Sequence, residues 1–370
     1  MKSLELFKNN GARFLLIAVF VLSLAAGFVS PAAAASGKAA GAVYTMTNAD
    51  GGNEVLVYNR SSDGSLEYQE AVATGGSGSG DGLGSQTALI LSNNNHWLFA
   101  VNAGSDEISS FAVSKNGLEL ADVVDSNGSR PVSLTLYKDI LYVLNAGGDG
   151  NISGFQVEKD GSLTPLTGST QQLANSGSGP AQVAFSSDGS ALVVTEKAIS
   201  MIETFEVVDG IASAPVSHLS EGTTPFGFAF DRHNHAIVSE ASGAVSSYDI
   251  DGSTFEPISS SVAAEGQTAA CWIAISKNGK FAYTTNAGSG TISSYTIASD
   301  GSLELLEAVA GDTGPDSKPL DMAFSNNGQF MYTLAADSNA IVIFAFGADG
   351  SLGDLGSVDV PAGATGLAVR

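Results

Sequence analysis

One pattern repeats seven times along this chain, and few folds accommodate it. Each copy is a short apolar strand, a small polar turn, a second strand carrying an aromatic, and a turn that often reads Asp-Gly or Asn-Gly. The copies begin at Ala42, Trp97, Ile140, Ala191, Ala236, Phe281 and Phe330. Leu98 opens LFAVNAGSDEISSFAVSKNG, and Phe281 opens FAYTTNAGSGTISSYTIASDG. The aromatics in register are Tyr58, Phe111, Phe155, Phe205, Tyr248, Tyr295 and Phe344, spaced 43 to 53 residues apart. A four-stranded propeller blade takes roughly 40–50 residues. The repeat therefore predicts an all-β, seven-bladed β-propeller.

The unit near residue 300 shows room for four strands, at 270–276, 281–287, 291–297 and 303–310. Tight hairpins need positive φ, which Asn-Gly and Asp-Gly supply. Asp63, Asp160, Asp251, Asp300 and Asp349 each precede Gly and read as turn residues. A calcium reading finds no D-x-D-x-D-G loop with its closing Glu. The chain enters at Ala42 on a second-type strand, and Thr365–Arg370 matches a first-type strand with nothing after it. The two ends are expected to complete one blade, which removes open sheet edges. A single domain over 42–370 follows. Gly75–Gly84, GGSGSGDGLG, reads as a flexible linker lengthening the connection after the first blade.

Ahead of the propeller, Lys2, Lys8 and Arg13 precede an apolar run from Phe14 to Val29, then Pro31 and Ala33-Ala34-Ala35. This is the pattern of a cleaved secretory leader over 1–35, with a short linker at 36–41. An exported protein, periplasmic or extracellular, is expected, with no membrane association after cleavage. Cleavage takes the net charge from −23 to −25. Such acidity repels phosphate backbones, so nucleic acid is not an expected partner. Cys271 is the single cysteine, so no internal disulfide forms, and its neighbours Ala270 and Trp272 place it in the core. A monomer is expected, because closure leaves no free edge. Asn127 and Asn151 open glycosylation sequons.

The units resemble the lactonase-type seven-bladed propellers, the family of bacterial 6-phosphogluconolactonase and fungal carboxymuconate-lactonising enzyme, and YVTN-type repeats. The segments that carry the resemblance are Gly179–Gly189 (GPAQVAFSSDG), Lys318–Gly328 (KPLDMAFSNNG) and the Asn-Ala-Gly triplets at Asn102, Asn145 and Asn286. The resemblance implies lactone chemistry without a cofactor. It also implies a His after the Pro of one inner strand and an Arg after the Pro of the next. Here Ala181 follows Pro180 and Phe226 follows Pro225. The family's Glu at the end of a second strand has counterparts in Glu196 and Glu240.

One end of the propeller collects the inner-strand starts and the loops after the second strands. It gathers Asp50, Asp106, Asp149, Glu196, Glu240 and Asp337, together with Arg130, Lys197 and Lys318. Glu196, Glu240 and Arg130 are the candidate catalytic residues. Lys197, Lys318, Asp321 and Gln182 are the candidate ligand-binding residues. Two readings stay open: hydrolysis of a small lactone, or a non-catalytic propeller binding a protein, glycan or cation. His96, His218, His233 and His235 fall away from that end. His233 and His235 allow a metal reading, but two His on a turn make a poor site, and a solvated turn is expected. No G-x-S-x-G elbow, H-E-x-x-H or P-loop is present.

Overall fold

A computed structural model describes residues 39–370; the expected leader, 1–35, lies outside the described residues, as do 36–38 of the linker. Gly41 already begins a strand. Blade 1 uses β1 (Gly41–Met46), β2 (Glu54–Arg60) and β3 (Leu66–Ala73). Blade 2 is β4 (Leu89–Leu91), β5 (Trp97–Asn102), β6 (Glu107–Ser114) and β7 (Gly117–Asp125). Blade 3 is β8 (Pro131–Tyr137), β9 (Ile140–Asn145) and β10 (Asn151–Val157), its outer edge split into β11 (Leu163–Pro165) and β12 (Gln171–Gln172). Blade 4 is β13 (Pro180–Phe185), β14 (Ala191–Glu196) and β15 (Met201–Val208), again with a split edge, β16 (Ile211–Ala212) and β17 (Val216–Leu219). Blade 5 is β18 (Pro225–Phe230), β19 (His235–Glu240), β20 (Ala244–Asp251) and β21 (Thr254–Ala263). Blade 6 is β22 (Ala270–Ile275), β23 (Phe281–Asn286), β24 (Thr291–Ile297) and β25 (Leu303–Asp312). Blade 7 is β26 (Pro319–Phe324), β27 (Phe330–Ala335), β28 (Ala340–Phe346) and β29 (Leu352–Asp359).

The last strand, β30 (Thr365–Val369), pairs antiparallel with β1 and completes blade 1 in the order β3-β2-β1-β30. Arg60 fastens this seam by donating to Ala40 O at 3.1 Å and Arg370 O at 3.4 Å. Inner strands touch in a closed ring: β4, β8, β13, β18, β22, β26, β30 and back to β4. The seven register aromatics are all buried, each paired with the second strand of its own blade, such as Phe111 opposite Leu98. Full burial of one such ring is worth about 1.5–3 kcal/mol. Polar latches cross the blade seams: Tyr142 Oη donates to Gly210 O, Tyr283 Oη to Gly350 O, and Tyr332 Oη to Gly64 O, at 3.0, 2.7 and 2.8 Å.

The Asp-Gly positions are turns, as the sequence predicts. Asp63, Asp160, Asp300 and Asp349 each accept the hydroxyl and amide of the Ser two residues on. The Ser hydroxyl bonds hold these carboxyls below their usual range. The following glycines have φ of 82° to 90°, a region only Gly enters freely.

β30 buries Leu367, Ala368 and Val369 and covers the edge of β1. Deleting residues 365–370 exposes that edge and should lower the melting temperature by more than about 10 °C and produce oligomers. Differential scanning fluorimetry and size-exclusion chromatography read the two effects.

Candidate functional site: the channel mouth and its strut

Each inner strand starts with a kink. Thr87, Arg130, Thr224, Ala269 and Lys318 have φ of 64°, 55°, 60°, 56° and 50°, and Gly179 has 63°. A non-glycine residue there costs of order 1–3 kcal/mol. The gain is a set of repeated hydrogen bonds. The kinked carbonyls of Arg130, Gly179, Thr224, Ala269 and Lys318 accept the amides of Ala146, Lys197, Ala241, Ala287 and Ala336, at 2.9–3.2 Å. Just after the kink, one extra residue bulges from the inner strand, marked by register shifts after Pro131, Pro180, Pro225, Ala270 and Pro319. Bulges re-aim side chains. Ala181, Phe226 and Cys271 in this zone form one buried apolar cluster with Trp272.

The glycine-rich segment is the main departure from the sequence reading. It is ordered rather than a free linker: Gly78 N and Gly80 N donate to Ala49 O and Asn48 O, at 2.8 and 2.9 Å. It then delivers residues 83–87 into the channel as a strut. Ser85 Oγ donates to Val132 O of blade 3 at 2.7 Å. Ser85 O accepts Trp272 Nε1 of blade 6 at 2.9 Å. Gln86 N donates to Ala181 O of blade 4 at 3.1 Å. The Gln86 amide clasps the backbone of Ile273, donating to its O and accepting its N–H, both at 2.9 Å. The Thr87 and Gly366 amides lie beside the buried Asp321 carboxyl of blade 7 and act to lower its pKa, against the larger effect of burial. Gly227 of blade 5 makes the room: a methyl group there would collide with Gln86 Oε1 and with Cys271 O.

The candidate ligand residues divide accordingly. Gln182 is a second clasp, holding Phe228 N and O of the next blade at 2.7 and 2.9 Å. Asp321 is wholly buried, and desolvation raises its pKa to about 7. Gln182 is engaged with backbone, whereas Asp321 Oδ2 is buried without a hydrogen-bond partner. Lys197 and Arg130 remain at the mouth. Lys197 Nζ donates to Gly84 O at 2.7 Å and Pro180 O at 3.4 Å, and lies 5.2 Å from the centre of the Phe226 ring. Phe226 in turn packs on Trp272, ring centres 4.8 Å apart. Burial lowers the Lys197 pKa to about 8, and the nearby Arg130 charge adds to the fall. Cys271 lies beneath, its thiol pushed up to about 12 by burial. Arg130 is exposed, and its backbone N–H is held by Asp106 Oδ1 at 2.6 Å. Lys318 instead pairs with Asp337 at 3.9 Å on the solvated rim. Among the described residues, neither the Lys197 ammonium nor the Arg130 guanidinium has a carboxylate oxygen within 4.0 Å.

The candidate catalytic carboxyls sit inside blade seams, both fully buried. Glu240 accepts Ser246 Oγ, and Ser261 Oγ at 2.6 Å. Glu196 lies beside Glu203, a residue the sequence reading did not single out. Glu203 is visible in sequence only by aligning blades: it occupies the register position of Ser109, Ser153, Ser246 and Ser293. The solvated-turn expectation fails for His235. It is buried, with Nδ1 2.9 Å from Asp231 Oδ2, which makes it part of the turn's own core. His233 and His235 lie 6.1 Å apart between ring centres, and the described residues contain no cluster of three metal-ligating side chains. Among the described residues no helix is long and apolar enough to cross a membrane.

Fold and site define a seven-bladed propeller with a braced channel and a small polar mouth. The chain matches the family model for lactonase, 7-bladed beta-propeller, over residues 77–366, and belongs to that family. A search of curated protein sequences finds no match. Among solved structures it is similar to a putative 6-phosphogluconolactonase from Bacteroides fragilis: 19% identity, 92% of this chain and 100% of that one, TM-score 0.68. It is similar to another from Bacteroides uniformis: 20% identity, 89% and 99%, TM-score 0.71. A third is a periplasmic gluconolactonase from Pseudomonas aeruginosa: 19% identity, 89% and 98%, TM-score 0.70. At such identities the likeness establishes the fold alone.

The strut makes a direct prediction. Gln86→Ala strands the Ile273 N–H and C=O and should cost about 2–4 kcal/mol. Gly227→Ala should destabilise the wild type, and cost less in the Gln86→Ala background, where one of its two collisions is gone. Urea unfolding of the four proteins in this double-mutant cycle measures the coupling.

Proposed function

We propose that this lactonase-family propeller works outside the cytoplasm as a receptor for a small organic acid, held by its carboxylate at Lys197 and Arg130. The observation that carries the reading is the uncompensated pair of cations at the mouth. Two neighbouring positive groups lack a carboxylate partner on a chain of net charge −23. Their mutual repulsion is relieved by an anion, and the Phe226 face beside Lys197 gives an apolar wall for a carbon skeleton. The braced channel and the apolar Ala181 and Phe226 speak against chemistry deeper down. Export is supported by the leader pattern over 1–35 and by the periplasmic relative.

Hydrolysis of a small lactone is the second reading, supported by family membership. A lactonase needs a group to polarise the carbonyl and a base for water. Arg130 suits the first role. Lys197, whose pKa falls to about 8, suits the second as the free amine.

Calorimetric titration with gluconate, a sugar acid, separates the two. The receptor reading expects binding that Lys197→Met weakens roughly 10- to 100-fold, with affinity falling as pH rises past about 8 and the ammonium loses its proton. Absence of binding to gluconate and to a panel of other small carboxylates contradicts it. The lactonase reading expects turnover of gluconolactone above background, rising through about pH 8 and lost in Lys197→Met. Turnover unchanged in that variant removes Lys197 from the chemistry.

A further inference from the structure

The blade 4 seam holds a feature that neither reading uses. In blades 2, 5 and 6 the end of the second strand meets a serine on the third: Asn102 with Ser109, Glu240 with Ser246, Asn286 with Ser293. Each pair has a proton donor and an acceptor, and a hydrogen bond joins the two. In blade 4 the same two positions carry Glu196 and Glu203. Both are fully buried. Glu203 Oε1 accepts Ala174 N at 2.8 Å, and Asn175 Nδ2 lies 3.4 Å from Glu196 Oε2 and 3.5 Å from Glu203 Oε1. The remaining oxygens, Glu196 Oε1 and Glu203 Oε2, are buried without a hydrogen-bond partner, as is Ser178 Oγ, whose hydroxyl lies beside Glu196 and tempers the rise in its pKa.

Two buried carboxylates cannot both ionise side by side without a cation, and none is within reach. Lys197, the next residue, turns its ammonium to Gly84 O. His218 on β17 bonds Thr204. Glu240 on the neighbouring blade is engaged by its own serines. From blade 3, the seam presents Leu144, Ile152 and Leu173, all apolar. The charge acting on Glu203 is that of Glu196.

We propose that Glu196 and Glu203 share one proton, placed between the two orphan oxygens, and that its loss loosens the 174–179 connection beside the channel mouth. The proton gives both orphans a partner at once and reproduces the donor–acceptor pairing of the sister blades. The connection depends on the pair through Ala174 and Asn175. It leads directly into Gly179 and Pro180, whose carbonyls bond the Lys197 backbone amide and ammonium. Loosening it therefore reaches the mouth.

The direction follows from linkage. Burial first, then the Glu196 charge, raises Glu203 from 4.5 to about 7. An acid raised in the folded state stabilises fully below its unfolded value. That contribution is lost as pH rises through the folded value. The folding constant should fall roughly 100-fold between pH 5 and pH 8 on account of this pair.

Glu203→Gln tests the idea, because an amide at that position donates to Glu196 as the proton does. Three readings are taken on wild type and variant. Urea unfolding at pH 5 and 8 should show a loss roughly 100-fold larger in wild type than in Glu203→Gln, which keeps only the share of the other buried carboxyls, Asp321 among them. Amide exchange of 174–179, corrected for intrinsic rate, should quicken at pH 8 in wild type alone. The infrared spectrum of wild type minus that of Glu203→Gln should show a protonated carboxyl band near pH 6, over and above the Asp321 band common to both, that is gone by pH 9. Parallel stability profiles, or no such difference band at pH 6, overturn the proposal. So does protection of 174–179 at pH 8 by added calcium, which would make the pair a cation site.

Discussion

The amide of Gln86 is the point on which the centre of this molecule depends. A ring of seven sheets has a hole at its axis, and the inner strands lining it carry backbone groups that need partners. Here the hole is crossed by five residues of chain. Blade 2 sends them in, blades 3, 4 and 6 bond them, and Gly227 of blade 5 gives way to them. The Gln86 clasp on Ile273 repeats the Gln182 clasp on Phe228, so one device serves two places. The strut costs kinked, strained backbone at Thr87 and gives partners to backbone groups of Val132, Ala181 and Ile273 in return.

With the channel braced, the proposed binding function falls to the rim. Six of the seven blades present a residue just after the second strand at the mouth. In five of them it is alanine: Ala103, Ala146, Ala241, Ala287 and Ala336. The exception is Lys197. Its long side chain reaches the strut and the Phe226 ring, where the others leave space. Blade 4 is also where the carboxyl pair replaces a carboxyl or amide with serine. Two departures from the blade pattern, Lys197 and the carboxyl pair, therefore meet in blade 4.

How far the sequence foretold this follows a physical line. Blade number, the composite first blade and the strands of blade 6 are readable because hairpin turns and buried aromatics are local and repeat. Strand β24 falls at Thr291–Ile297, as the pattern predicts. The strut was not readable. Its glycines have the composition of a flexible linker, and its order comes from bonds to residues up to 187 positions away. Composition does not say which of the candidate residues are solvated. Arg130, Lys197 and Lys318 reach the rim. Asp321, Gln182, Glu196 and Glu240 turn into channel or seam. The partner of Glu196 could be seen only by laying the blades over one another and asking which lacks its serine.

The claim beneath all of this is that the channel is permanently braced. Hydrogen–deuterium exchange of the peptide spanning residues 83–88 in the native protein tests it most directly. The account predicts that the Gln86 and Thr87 amides belong to the slowest class in the molecule, opening only with global unfolding. Exchange as fast as that of the exposed turns, with the rest of the propeller intact, would contradict it and return the channel to the list of possible sites.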